Sequence, residues 1–331
     1  ETHGLQMKSG QTLYLAGGAV LQASPPPGDR GTYSDKWKVT FFNGAVFSLK
    51  GVEDVCIRGR GIVDASLVPH PGFNMLRIDG AKRVRIEGVT LRDSANWNFV
   101  IGQSQDVEVE DVRIVSGRLN SDGINSVNSR RVRIRNCFVR NHDDSIVVKT
   151  TAPGAAAEDI LVEDCTVWSD WGYSLGVTYE TRAPVRRVAF RGCNLIYTRH
   201  WCLGLHLSDS ATVEDITFAD IHVSDLAAAR GDAGARAALT ADPKLMRFVV
   251  TQDCWGHDAE RGRIRNVSVD GVTVHGDALP GSEMEGVDAA HDVRGVTVRN
   301  VRLAGRPAVT DAAGLGLRQN AFVHDLRIEA R

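Results

Sequence analysis

The stretch Arg130-Arg131-Val132-Arg133-Ile134-Arg135-Asn136-Cys137-Phe138-Val139 decides the fold because it returns. It comes back 28 residues on as Glu158-Asp159-Ile160-Leu161-Val162-Glu163-Asp164-Cys165-Thr166-Val167, and after another 28 as Arg186-Arg187-Val188-Ala189-Phe190-Arg191-Gly192-Cys193-Asn194-Leu195. In each copy two polar residues precede an aliphatic one, and aliphatic and other positions then alternate. Period two with β-branched residues describes a strand with one face turned inward. Working outward, the same phrase starts at Glu53, Lys82, Gln105, Glu214, Arg265 and Arg294, with a partial copy at His324. The first aliphatics are 29, 23, 25, 28, 28 and 28 residues apart, then 51, 29 and 30.

No helical stretch separates the copies, so they are not strand–helix units. Each is one coil that cannot bury its apolar face alone, and neighbours must stack. A second series of strands runs between the copies: Ile124 to Val127, Ser145 to Lys149, Ser174 to Tyr179, Leu203 to Leu207 and Arg247 to Val250. The expected fold is all-β: a single-stranded, right-handed parallel β-helix forming one domain over residues 1–331. The 51-residue gap implies a loop insertion near 225–246. Further loops are expected at Pro25-Pro26-Pro27-Gly28 and near Gly276 to Gly286, and such excursions often wall a binding groove. Leu5 to Leu21 already reads as the first coil. Residues preceding Glu1, or some other cover, would then cap that end, and the missing initiator Met points to a trimmed N-terminus.

Composition narrows the function. The 331 residues are 43% hydrophobic and 24% charged, with a net charge of −2. Lys and Arg are interspersed with Asp and Glu, so the basic stripe of a nucleic-acid binder is absent. No apolar run has the length of a membrane helix. Cys137, Cys165 and Cys193 share one place in the repeat and are expected to stack in the core as small apolar residues. No His/Cys spacing matches zinc, and a calcium site would want six or more oxygens, so neither metal nor cofactor is expected.

Two segments carry chemistry, Asn120-Ser121-Asp122-Gly123 and Asn141-His142-Asp143-Asp144. Each lies directly before a strand of the second series. Asp122 and Asp144 are 22 residues, one coil, apart. Adjacent strands run about 4.8 Å apart, which gathers Asp122, Asp143 and Asp144 into one patch. A lone Asp-Gly usually caps a turn. Three acids in coil register imply more, because crowding raises the pKa of one carboxyl. A protonated acid beside ionised ones is what glycoside hydrolysis uses, with carboxyls roughly 6.5–9.5 Å apart in inverting enzymes. Strict alternation would aim Asp122 and Asp144 inward, so a bend at the strand entrance must turn them out.

Asn120-Ser121-Asp122-Gly123, followed by Asp143-Asp144 and then Lys149, resembles the polygalacturonase-like glycoside hydrolases (family 28). Ser9-Gly10-Gln11-Thr12-Leu13-Tyr14-Leu15 and Gly59-Arg60-Gly61-Ile62-Val63-Asp64 are similar too. The resemblance covers most of residues 5 to 225. It implies an inverting hydrolase with Asp143 as general acid and with Asp122 and Asp144 holding and deprotonating water. Two departures matter. The family's Gly-His-Gly is replaced by Asp170-Trp171-Gly172, and its uronate-binding Arg-Ile-Lys by His206-Leu207-Ser208. An acidic sugar needs a fixed cationic partner, so the loss points to a neutral or unusual oligo- or polysaccharide. The run Trp168 to Arg182 is similar to the dextranase and isopullulanase family (family 49), whose members share the acid trio and act on neutral α-glucans.

Sugar rings present apolar faces, so aromatics beside polar groups suit saccharide subsites. The candidate substrate contacts are Lys149, Trp171, Tyr173, Tyr179, Glu180, Arg182, Trp201, His206, Asp209, Gln252, Asp253 and Trp255. His200 and His257 read as surface residues. The substrate class favours a secreted or cell-envelope location. The competing functions are a uronate-specific hydrolase, a polysaccharide lyase, and a β-helix that binds glycans without cleaving them.

Overall fold

Alternating aliphatics make each coil's strands, and the stacking of coils turns the strands into sheets. The computed structural model describes residues 4–25, 32–34, 39–41, 44–224 and 243–330. Pro26 to Gly28 and most of the expected 225–246 insertion lie outside the described residues. All the ladders between coils are parallel, and the chain is a right-handed parallel β-helix without helices among the described residues. Among the described residues the one antiparallel pair of strands, Thr32–Ser34 with Val39–Phe41, stands outside these ladders.

The repeat register is the pairing register. Val84 pairs with Val55 and Val107, Val132 with Val107 and Ile160, Val188 with Ile160 and Ile216, and Val267 with Ile216 and Val296. Across the 51-residue gap the coil is therefore completed with its aliphatics in line. Like side chains stack on like, as in the Phe190, Phe218 and Phe248 rings, whose centroids are 5.0 and 6.0 Å apart. Cys137, Cys165 and Cys193 are buried in the same core.

The corners of each coil, several of them inside strands, are left-handed residues. The second residue of successive copies has a φ of 51–59°, from Asp54, Arg83, Asp106 and Arg131 to Asp159, Arg187 and Asp215. Asp suits that conformation and Arg does so poorly. Each of these arginines instead ion-pairs with the acid one coil below: Arg83 with Asp54 at 2.7 Å, Arg131 with Asp106 at 2.6 Å and Arg187 with Asp159 at 2.6 Å. A second corner uses Asp111, Asn136, Asp164, Gly192 and Asp220 at φ 52–61°.

The second strand series forms an eleven-stranded sheet. Among its strands are Phe99–Gly102, Ile124–Val127, Ile146–Thr150, Tyr173–Thr181, Trp201–Leu207, Lys244–Val250 and Ser282–Glu285. The last of these falls within the third expected loop. That loop is confined to the residues before Ser282, because Glu283 and Met284 pair with Arg247 and Phe248. The outer face of this sheet carries the acids.

Candidate active site

Ile124 pairs with Ile146 and Ile146 with Leu175, so Asp122, Asp144 and Tyr173 occupy matching positions on three coils. The strands have not yet begun at Asp122 and Asp144. Isolated bridges between Ser121 and His142 and between Asp143 and Trp171 mark the bend there. Gly172, at φ 70°, lets the next coil approach: a Cβ on it would sit 2.7 Å from the Asp144 backbone nitrogen. Carboxylate oxygens of Asp122, Asp143 and Asp144 lie within 4.8 Å of one another.

Each acid has a different environment. Asp144 is buried and accepts from Lys149 Nζ at 3.2 Å, Thr178 Oγ1 at 2.8 Å and the Tyr173 N–H at 3.0 Å. Asp122 is buried and accepts from Asn125 Nδ2 at 3.3 Å. Burial and then the neighbouring Asp143 charge push Asp122 well above the usual carboxylate range. Asp143 is half-buried and accepts the Asp144 N–H at 2.9 Å. Burial and the Asp144 charge raise it to about 7. Such neighbours titrate as a unit, and the trio retains a proton near neutrality.

The other candidates separate into groove-side contacts and supports. Lys149 is 2% exposed and spans Asp144 and Glu180, the latter at 3.1 Å, with its ammonium 5.5 Å from the Trp97 ring and 5.3 Å from Tyr179. It is a buried brace, which corrects its expected role as a substrate contact. Tyr173 is likewise wholly buried, its hydroxyl 3.0 Å from His206 Nδ1 and accepting from Arg247 at 2.7 Å. Asp209 is wholly buried and accepts the Thr181, His257 and Asp258 N–H groups, so it ties down a loop rather than meeting a ligand. His206 is buried and 3.1 Å from Asp253 Oδ2, and burial lowers its pKa. Arg182 pairs with Asp258 at 2.9 Å. Asp253 also accepts from Ser208 Oγ and the Trp255 N–H.

Trp171, Tyr179 and Glu180 are partly exposed beside the acids and Trp201 is partly exposed one coil beyond Tyr173, whereas Gln252 and Trp255 are exposed on the following loop. Trp171 lies between His142 and His200, at 5.8 and 4.3 Å. His200 is 4% exposed, with both ring nitrogens lacking a partner, so it is not a surface residue. Among the groups that escaped the sequence reading are Trp97, Asn125, Thr178, Arg247 and Glu283. Arg247 alternates with inward Met246 and Phe248, and that alternation was the signal that could have found it. Its guanidinium binds Tyr173 and Glu283, the latter at 2.8 Å, 5.2 Å from the Trp201 ring.

Comparison with known proteins gives the same direction. The chain is 27% identical over 151 residues to the polygalacturonase of Juniperus ashei, spanning 43% of this chain and 29% of that protein. It is 26% identical to that of Chamaecyparis obtusa over the same length, 28% of that protein. The chain thus matches under a third of the length of these relatives. Among solved structures, the exopolygalacturonase of Thermotoga maritima superposes with a TM-score of 0.65 at 18% identity, covering 91% of this chain and 79% of that one. Dex49A of Penicillium minioluteum gives 0.58 at 13% identity, covering 98% and 64%. At those identities the likeness is one of fold. Residues 32–230, more than half the chain and including all three acids, match the sequence profile of Glycosyl hydrolases family 28, and the chain belongs to that family.

Proposed function

We propose that this chain is an inverting glycoside hydrolase acting on a neutral or unusual oligo- or polysaccharide. The observation that carries the reading is the inequality of three adjoining carboxyls. Asp143, half-buried and raised to about 7, donates its proton to the leaving glycosidic oxygen. Asp144, whose partners are all donors, accepts a proton from the attacking water, and Asp122 orients that water. Two hydrogen bonds of about 2.8 Å meeting at a tetrahedral water span about 4.6 Å. Oxygens within 4.8 Å of one another can hold it. The spacing is tighter than the roughly 6.5–9.5 Å common for a two-carboxyl inverting pair, so product stereochemistry is the decisive readout.

Electrostatics supports a neutral substrate. Lys149, Arg182 and Arg247 are each already paired with a carboxylate of the chain. Asp122, Asp143, Asp144, Glu180, Asp253 and Glu283 share the neighbourhood, and a polyanion would have to displace a protein carboxylate to reach Arg182 or Arg247. The name of the curated relatives, polygalacturonase, favours the second reading, a uronate-specific enzyme in which Arg247 exchanges Glu283 for the sugar.

The test is a panel of neutral α-glucans, other neutral glycans and polygalacturonate, with the product anomer followed by NMR. Inversion on a neutral glycan is expected, and Asp143→Asn should lower kcat by about 10²–10⁴-fold while glycan affinity persists. Retention would remove the inverting mechanism. A folded protein that cleaves nothing in the panel but binds glycan would be a lectin-like solenoid instead.

A further inference from the structure

The buried Lys149 ammonium has two carboxylate partners, Asp144 Oδ2 at 3.2 Å and Glu180 Oε2 at 3.1 Å. They reach it from two successive coils, Asp144 from the approach to the lysine's own strand and Glu180 from the strand above. The ammonium is enclosed on other sides as well: Trp97 and Tyr179 face it at 5.5 and 5.3 Å, and the Thr178 carbonyl lies 3.5 Å away. A lysine this enclosed does not reach a ligand. Its only route to the chemistry is through the carboxylate it holds.

We infer that Lys149 and Glu180 are opposing positioning residues for the acid trio: Lys149 holds Asp144 in place and sets a positive charge beside the three carboxyls, and Glu180 tempers that effect by competing for the same ammonium. The inference rests on the hydrolase reading above. The groups facing this ammonium are Asp122 from the coil below, Asp143 and Asp144 from its own coil, and Tyr179 and Glu180 from the coil above. Tyr173 meets Asp144 through its N–H and leads on to His206 and Arg247. The Lys149 charge favours the ionised forms of Asp122 and Asp143, and the Glu180 charge opposes them. Removing the two partners should therefore displace the trio in opposite directions. A residue that merely filled space would displace it in neither.

The experiment is a ¹³C carboxyl NMR titration of Asp-labelled protein, without substrate, for wild type, Lys149→Met and Glu180→Gln. Methionine keeps most of the lysine stem's volume, and glutamine keeps the shape of Glu180. The upper titration of the trio is expected to move up by about 1–3 pH units in K149M and down in E180Q. Both limbs of the pH–rate profile should follow. If both variants titrate like wild type, or both move the same way, the inference is wrong. Should K149M fail to fold by circular dichroism, E180Q decides alone: a downward shift supports the pairing, and none or an upward shift overturns it. Displaced titrations in a protein that cleaves no glycan would sink the hydrolase reading and leave the charge coupling standing. Cleavage with unmoved titrations would sink only this inference.

Discussion

Asp143 is where chemistry and stability conflict. A general acid must be protonated, so kcat/KM should fall as pH rises through about 7. The same residue links folding to pH. Its folded pKa lies above the ordinary value of 3.8, so the native state binds more protons than the unfolded chain between about pH 4 and 7. That stabilising contribution is complete below the unfolded pKa and is lost as pH rises through the folded one. Asp143→Asn removes the dependence. The variant should therefore melt above wild type at pH 8 and lose that advantage near pH 4, as thermal scans at the two pH values will show. The trio was legible in the sequence because its spacing equals one coil. The supports were not: Lys149, Tyr173 and Asp209 look in sequence like the polar and aromatic residues of a sugar site, and only burial by the neighbouring coils separates brace from contact.

At the scale of the strand, charge alternates from coil to coil. The paired starts run Glu53-Asp54, Lys82-Arg83, Gln105-Asp106, Arg130-Arg131, Glu158-Asp159 and Arg186-Arg187. Stacking sets acid against base, and a slip of one coil would set like against like, which disfavours the wrong register. The depression of about 540 Å³ lined by Arg83, Arg85, Asp106, Glu108, Arg131 and Arg133 belongs to this ladder, on a different sheet from the acids. Arg131→Asp would place three acids in a row with Asp106 and Asp159 and should lower the melting temperature. The swap D106R/R131D restores the central pair with its signs reversed. It also sets the new base against Arg83 and the new acid against Asp159, so only partial recovery is expected. Both differences should shrink in high salt, since the pairs are exposed. The ladder was written in the sequence as a polar doublet before each aliphatic. Its left-handed corners were not, because Arg gives no local signal for that conformation.

Over the described residues, the outer face of the eleven-stranded sheet gathers carboxylates, and Lys149, Arg182 and Arg247 beside them are each paired with one. A neutral glycan meeting that face gains little from long-range attraction, so kcat/KM should change little between about 0.05 and 0.5 M salt. A polyanionic substrate drawn to Arg247 would show a strong salt dependence instead, and measuring kcat/KM across that range separates the two.

The repeat by itself determined the coil, its register and the meeting of three acids, because one period governs both the burial of aliphatics and the alignment of whatever precedes each strand. Tertiary structure alone decided which of the outward polar side chains stay open, which are sealed beneath the next coil, and which cations are spent on the protein's own carboxylates. Those outcomes depend on distances of a few ångströms between residues on different coils, such as Lys149 and Glu180, Tyr173 and Arg247, or Arg182 and Asp258, and no local pattern of residues encodes them.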